Sequence, residues 1–98
     1  MQYVFQPKAL RKIWAFYRNV ARKYRHVYDL NNMEENIRQA ILDARLIEKS
    51  LHRRRPTLKR WQNRGWHMAN AGKWFYAYTI NNELITIEDA CHGQNMHD

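Results

Sequence analysis

The sequence predicts a two-layer α+β domain in the order β-α-α-β-β-β: an N-terminal strand, an antiparallel helical hairpin, then a three-stranded antiparallel meander. Three observations predict it. Apolar residues recur at helical spacing over residues 7–27 and again over 33–51, with a short polar break between them. Past Pro56 the apolar period drops to two. Two turn signals, Asn70-Ala71-Gly72 and Asn81-Asn82, then divide what remains into three strands. A chain of 98 residues holds one domain, 1–98, with a modest core.

The elements follow in order. Met1 to Gln6 alternates, with Tyr3 and Phe5 on one side and Val4 on the other, and reads as a strand. Pro7 suits the first position of a helix, where its missing N–H costs nothing. Leu10, Ile13, Trp14, Tyr17, Val20, Ala21, Tyr24 and Val27 form one stripe of that helix. Lys8, Arg11, Lys12, Arg18, Arg22, Lys23 and Arg25 form the opposite face, with no acid among them. Asp29-Leu30-Asn31-Asn32 breaks the pattern. Asn32 is the expected N-cap of a second helix, with Glu35 completing a capping box and Glu34 pairing with Arg38 at i,i+4. Met33, Ile37, Ala40, Ile41, Ala44, Ile47 and Leu51 are its buried positions, and it is expected to end near Leu51 to Arg54. Pro56 stops helical structure, and residues 64–69 read as extended. Residues 74–80 place Trp74, Tyr76, Tyr78 and Ile80 on one face of a strand. Residues 84–90 form the last strand, with Ile85 and Ile87 opposite Thr86 and Glu88. The helices should cover one face of the sheet and leave the other free.

Charge narrows the function. Seventeen Lys and Arg against nine Asp and Glu give a net charge of +8. Residues 1–28 carry seven bases and no acid, and residues 50–82 again carry seven bases and no acid. Residues 83–98 carry four acids and no Lys or Arg. Two basic blocks set apart from an acidic tail attract nucleic acid, acidic protein or anionic membrane. No apolar run is long enough to span a bilayer, and the first ten residues lack the pattern of a signal peptide. A single cysteine, Cys91, cannot form an internal disulfide and fits a reducing, cytoplasmic compartment.

Two stretches could carry chemistry. In the first, His52-Arg53-Arg54-Arg55, Lys59, Arg60 and Arg64 bracket Trp61 and lead to Trp66 and His67. Guanidinium groups bind phosphate bidentately and aromatic rings stack on unpaired bases. The same arginines could instead cap the second helix, and the tryptophans could be core. In the second, Asp89-Ala90-Cys91-His92-Gly93-Gln94-Asn95-Met96-His97 gathers two imidazoles, a thiol, amides and a carboxylate after a strand. Imidazole titrates near neutrality and suits proton transfer. His92 could equally close the sheet edge by hydrogen bonding. Cys91 and His92 are neighbours in an extended segment and point to opposite faces, and the spacing fits no zinc pattern, so no metal or cofactor is expected.

The order of elements and the text of the C-terminal half together resemble the RelE/ParE superfamily of type II toxin–antitoxin toxins. The resemblance spans the chain. It is most specific from Arg55-Pro56-Thr57-Leu58-Lys59-Arg60-Trp61, through Gly65-Trp66-His67-Met68-Ala69-Asn70 and the aromatic strand 74–80, to Ile85-Thr86-Ile87-Glu88-Asp89-Ala90-Cys91-His92. It implies a toxin that cleaves ribosome-bound mRNA without a metal, the substrate's 2′-hydroxyl attacking the adjacent phosphate. The alternatives it allows are a ParE-like inhibitor of DNA gyrase, or an inactive member that only binds its antitoxin. Carried over by position, His92 is the expected general acid or base, with His67 facing the same cleft. Arg64, with Lys59 and Arg60, would stabilise the transition state. Arg53, Arg54, Arg55, Trp66, Lys73 and Gln94 complete the expected RNA contacts, with Trp74 a second candidate for base stacking. The tail holds no Lys or Arg, so the implied site is centred on histidine. The implied partners are an acidic antitoxin, the ribosome and mRNA.

Overall fold

A computed structural model describes residues 2–47 and 55–97. Strand β1 (Gln2–Phe5) leads into helix α1 (Pro7–Lys23), which folds back on helix α2 (Leu30–Ala44). A single helical turn, α3 (Lys59–Gln62), precedes β2 (His67–Ala71), β3 (Trp74–Asn81) and β4 (Leu84–His92). A 3₁₀ turn, Gly93–Asn95, follows. The α+β class and the β-α-α-β-β-β layout are those the sequence predicts.

The sheet order is β1-β4-β3-β2. β2, β3 and β4 form the expected antiparallel meander, but β1 joins it parallel to β4, from Gln2 opposite Leu84 to Phe5 opposite Ile87. The sheet is therefore mixed. Its parallel pair needs the whole helical layer as a crossover, because strands running the same way cannot be joined by a tight turn.

Pro7 opens α1 as expected. Of its apolar stripe Ile13 and Tyr17 are buried and Leu10, Val20 and Ala21 half-buried, but Trp14 is 40% exposed, because the buried face is turned toward Ala9 and Phe16. The helix ends at Lys23, so Tyr24 and Val27 lie beyond it and are exposed. The N-cap of α2 is Asp29 rather than Asn32: its carboxylate accepts the Asn32 backbone N–H at 2.8 Å. An ionised cap is favoured at the positive end of the helix, and it starts α2 almost a turn early. Glu35 is then inside the helix and meets Arg38 at 3.7 Å, in place of the expected Glu34 pair. α2 ends at Ala44, capped by Arg45; Ile47 is buried as expected, and the predicted stretch beyond it, to Leu51 and Arg54, lies outside the described residues. The two tight turns fall at Gly72-Lys73 and Asn82-Glu83, one residue later than predicted, with positive φ at Gly72 and Asn82.

Both faces of the sheet are covered, contrary to expectation. On the helix side Ile13, Tyr17, Ile37 and Ala40 pack against Tyr76, Tyr78, Ile85 and Ile87. Tyr76 donates its buried hydroxyl to the Ala40 carbonyl, joining sheet to helix. On the other side Leu58, Trp61, Met68, Ala77 and Cys91 form a second small core, flanked by Trp66, Phe75 and Met96. The sequence pattern pointed to one buried face because Ala77 and Cys91 are small. A single indole, Trp61, fills the space over them.

Candidate functional site

The site is built where β4 outruns β1. β1 ends opposite Ile87, and α1 lies along the rest of the β4 edge. There α1 brings Lys12 to within 3.0 Å of the fully buried Asp89 carboxylate, with Lys8 at 3.8 Å. From the opposite face, Trp61 donates its indole N–H to Asp89 at 2.9 Å. Asp89 also accepts the Ala90 N–H at 2.8 Å. A buried carboxylate is tolerated only when its lone pairs are met, and here cations and donors meet them. Asp89 thus pins α1 and α3 to β4 at the level of the site.

An irregularity in β4 decides which side chain reaches the site. Ala77 pairs with Asp89 and Tyr78 with Ile87, so Glu88 is an extra residue with no partner of its own. Such a bulge shifts the two-residue alternation by one. Ile85 and Ile87 face the helices before it, and Ala90 and His92 face them after it. Cys91 is turned to the other core. In an unbroken strand the thiol, not the imidazole, would face α1.

His92 is 8% exposed and closely held. Its ring stacks on Phe16 at 4.1 Å and 10°, with the edge of Trp74 at 5.4 Å. Nδ1 accepts the Gln94 backbone N–H at 3.2 Å. That bond places the proton of the neutral ring on Nε2. Burial, and then the nearby Lys73 ammonium, push the imidazole below its ordinary pKa. Near neutral pH His92 is therefore an uncharged hydrogen-bond donor through Nε2.

Two hollows flank this ring. The larger, about 880 Å³, runs between the second half of α1, α2 and the β2–β3 turn, and is edged by Lys23, Lys73, Tyr24 and Gln94. The smaller, about 280 Å³, lies toward Lys12, Arg60 and Cys91. Phe16, Asn19, Trp74, His92 and Asn95 line both, so they are two lobes of one groove. Asp43 is the one acid lining either lobe among the described residues. It accepts from Gln39 at 2.8 Å and presses on Gly72, where a Cβ would come within 2.5 Å of its oxygen.

Of the residues predicted from sequence, His92, Arg60, Lys73 and Gln94 come together in this groove. His67 does not. The Ala71–Trp74–His92 rung is at the far end of β2 from His67, which pairs with Tyr78. Four residues of strand, about 13 Å, intervene. Arg64 lies over the half-buried Trp66, 5.7 Å from its ring, and neither lines the groove. Lys59 sits on α3 and Arg55 is exposed before it; Arg53 and Arg54 lie outside the described residues. Trp74 is 2% exposed and gives its indole N–H to the Tyr17 hydroxyl at 3.0 Å, so it offers no face to a base. Trp61 is likewise fully buried.

Sequence reasoning missed Phe16, Asn19, Lys23, Tyr24, Tyr28 and Asp43 as groove residues. Tyr24 carried a usable signal: it sits among Arg22, Lys23, Arg25 and His26, where an aromatic is poorly suited to a core. Burial also raises the Cys91 thiol above its ordinary pKa, the charges of Arg60 and Lys12 acting the other way. No group of three or more His, Cys, Asp or Glu able to hold a metal exists among the described residues. None of their helices is long and apolar enough to cross a membrane. No family model and no curated protein matches the chain.

Proposed function

We propose that this chain is a RelE/ParE-like toxin that cleaves ribosome-bound mRNA in the cytoplasm, and that an acidic antitoxin silences it. The observation that carries the reading is His92: a neutral imidazole fixed between two cation-edged lobes, at the end of the last strand. Cleavage of this kind needs no metal. The substrate's 2′-hydroxyl gives up its proton to water and attacks the adjacent phosphorus, the bond to the 5′-oxygen breaks, and that oxygen takes a proton from water, leaving a 2′,3′-cyclic phosphate and a 5′-hydroxyl. Charge builds on the phosphoryl oxygens and on the departing oxygen. The Nε2–H of His92 is suited to donate to that charge, and Lys73 and Arg60 flank it with positive charge. As a general base at Nε2, His92 would need the other tautomer and would forfeit its bond from Gln94. A general acid would in turn need the imidazolium, which burial disfavours. Hydrogen-bond donation to the developing charge therefore fits better than either the acid or the base role expected from sequence.

Primer extension on a reporter mRNA in a cell-free translation reaction tests the reading. The protein should produce new ends that follow the reading frame and that disappear without ribosomes. His92→Phe keeps an aromatic ring to stack on Phe16 but loses Nε2–H, and should abolish cleavage in a protein that still melts cooperatively. An intact reporter with undiminished translation overturns the proposal. Blocked supercoiling by gyrase with the reporter intact would transfer the chain to the ParE-like alternative.

A further inference from the structure

We propose that the two-lobed groove holds a short single strand of RNA along α1, with Tyr24 as a base-stacking platform one lobe away from His92. The proposal rests on the reading of the chain as an RNA-directed protein and adds a binding register that does not require the ribosome.

Continuity is the first support. The lobes share five lining residues, so a ligand can run from one to the other past His92. Helix α1 forms a common wall, with Lys12, Phe16, Asn19 and Lys23 on successive turns. From Lys12 to Lys23 that wall measures about 16 Å at 1.5 Å per residue. Nucleotides stacked about 3.4 Å apart would number no more than about five along it.

The chemistry of the lobes differs in the way a single strand requires. The small lobe holds Arg60 and Lys12 and is too cramped for much beyond a phosphate and its sugar. The large lobe falls within the usual size of ligand sites, roughly 300–1,000 Å³, and has an aromatic end. There Tyr24 is half exposed, with the Lys23 ammonium 5.7 Å from its ring. Tyr28 lies beside it, its hydroxyl held by the Asn36 amide at 2.6 Å. An exposed ring flanked by a cation, opening into a groove rimmed by Lys73, takes a base on its face and a phosphate at its edge. Among the described residues no ion pair joins Lys23, Arg60 or Lys73 to an acid, whereas Lys12 is paired with Asp89.

Fluorescence anisotropy with a labelled RNA hexamer and the full chain tests this directly. Three phosphate contacts give a slope of log K against log salt of about −2. Lys73→Gln should make that slope shallower by about 0.7. Tyr24→Ala should weaken binding at least about fivefold and leave the slope unchanged. Arg38→Gln, which removes a charge from the outer face of α2, should change neither. Wild-type binding by both groove variants overturns the proposal. So does a loss in Arg38→Gln equal to that in Lys73→Gln, which would mean charge alone is sensed. Hexaglutamate that binds with the same dependence on Tyr24 would assign the groove to a protein partner and also overturn it. The test separates this inference from the nuclease reading. A hexamer bound as described beside an intact reporter mRNA leaves the groove standing and removes the nuclease. Reporter cleavage at wild-type rate by Tyr24→Ala, with hexamer binding also at the wild-type level, does the reverse.

Discussion

Replacing Asp89 with asparagine should cost this protein a large share of its stability, although the two side chains have nearly the same shape. One carboxylate oxygen accepts the Trp61 indole N–H and the other the Ala90 N–H, and Lys12 reaches both at 3.0 Å. Whichever oxygen becomes the amide nitrogen, a donor then faces a donor in a fully buried place. An unsatisfied buried group costs about 1–3 kcal/mol. Losing the ion pair to Lys12 adds only about 0.5–1 kcal/mol, because the lysine side chain is itself 37% exposed and can turn to water. A loss of about 3 kcal/mol is expected, against a total of roughly 5–15 kcal/mol for a domain of this kind. At about 4–8 °C per kcal/mol, the midpoint of thermal unfolding should fall by roughly 12–24 °C. Urea unfolding followed by tryptophan fluorescence measures the difference. Repeating it in a Trp61→Phe background measures the coupling, and there Asp89→Asn should cost less, since the amide can turn toward the missing donor. A cost below about 1 kcal/mol, or one that adds to that of Trp61→Phe, would refute the view that Asp89 joins the layers.

Gly72→Ala should destabilise more than Gly65→Ala. Both have positive φ, 63° and 70°, costing about 1–2 kcal/mol in an L-residue, but only Gly72 has the Asp43 carboxylate within 2.5 Å of a new Cβ. Urea melts should lose that excess in an Asp43→Ala background, and equal costs for the two alanines would count against the close approach. The His92 imidazole, followed by NMR, should titrate below the ordinary value of about 6.5, and Lys73→Gln should move the midpoint back up. Between those two values the unfolded chain binds more protons than the folded one. The contribution to stability is therefore complete above about pH 6.5 and is lost as pH falls through the folded-state midpoint. A folded-state midpoint above 6.5 would contradict the packing around Phe16. Cys91, buried and raised in pKa, should react with a disulfide reagent only as the protein unfolds, so that its labelling rate climbs with urea. Labelling of the native protein that is rapid and indifferent to urea would count against its burial.

Local signals made much of the fold legible. Pro7 marked the start of α1, and the alternating isoleucines of β4 marked a strand that buries one face. Positive φ at Gly72 and Asn82 put the tight turns within a residue of where the sequence places them. What could not be read depends on residues far apart in the chain. The indole of Trp61 finds Asp89, and that of Trp74 finds Tyr17. Without those partners, each looks like a ring free to meet a base. The bulge at Glu88 has no sequence signature of its own, yet it settles that His92 rather than Cys91 faces α1. His92 was legible as a candidate from its place after the last strand. Its charge state and tautomer were not, because they come from Phe16, Lys73 and the Gln94 N–H closing around it.

The parallel pairing of β1 with β4 governs the order in which this protein can assemble. The meander and the helical hairpin are made of neighbours in sequence and can form early. Gln2 meets Leu84 only after almost the whole chain has been brought round, a closure that costs roughly 4 kcal/mol in entropy. A four-residue strand earns little until Ile85 and Ile87 are already packed. Topology thus leads one to expect β1 to dock last and to leave first. While it is away, the backbone of β4 from Leu84 to Ile87 is an open edge, ready to pair with another chain. The same excursion slackens the start of α1, which holds Lys8 and Lys12 against Asp89. Loosening of β1 would thereby be felt at the groove.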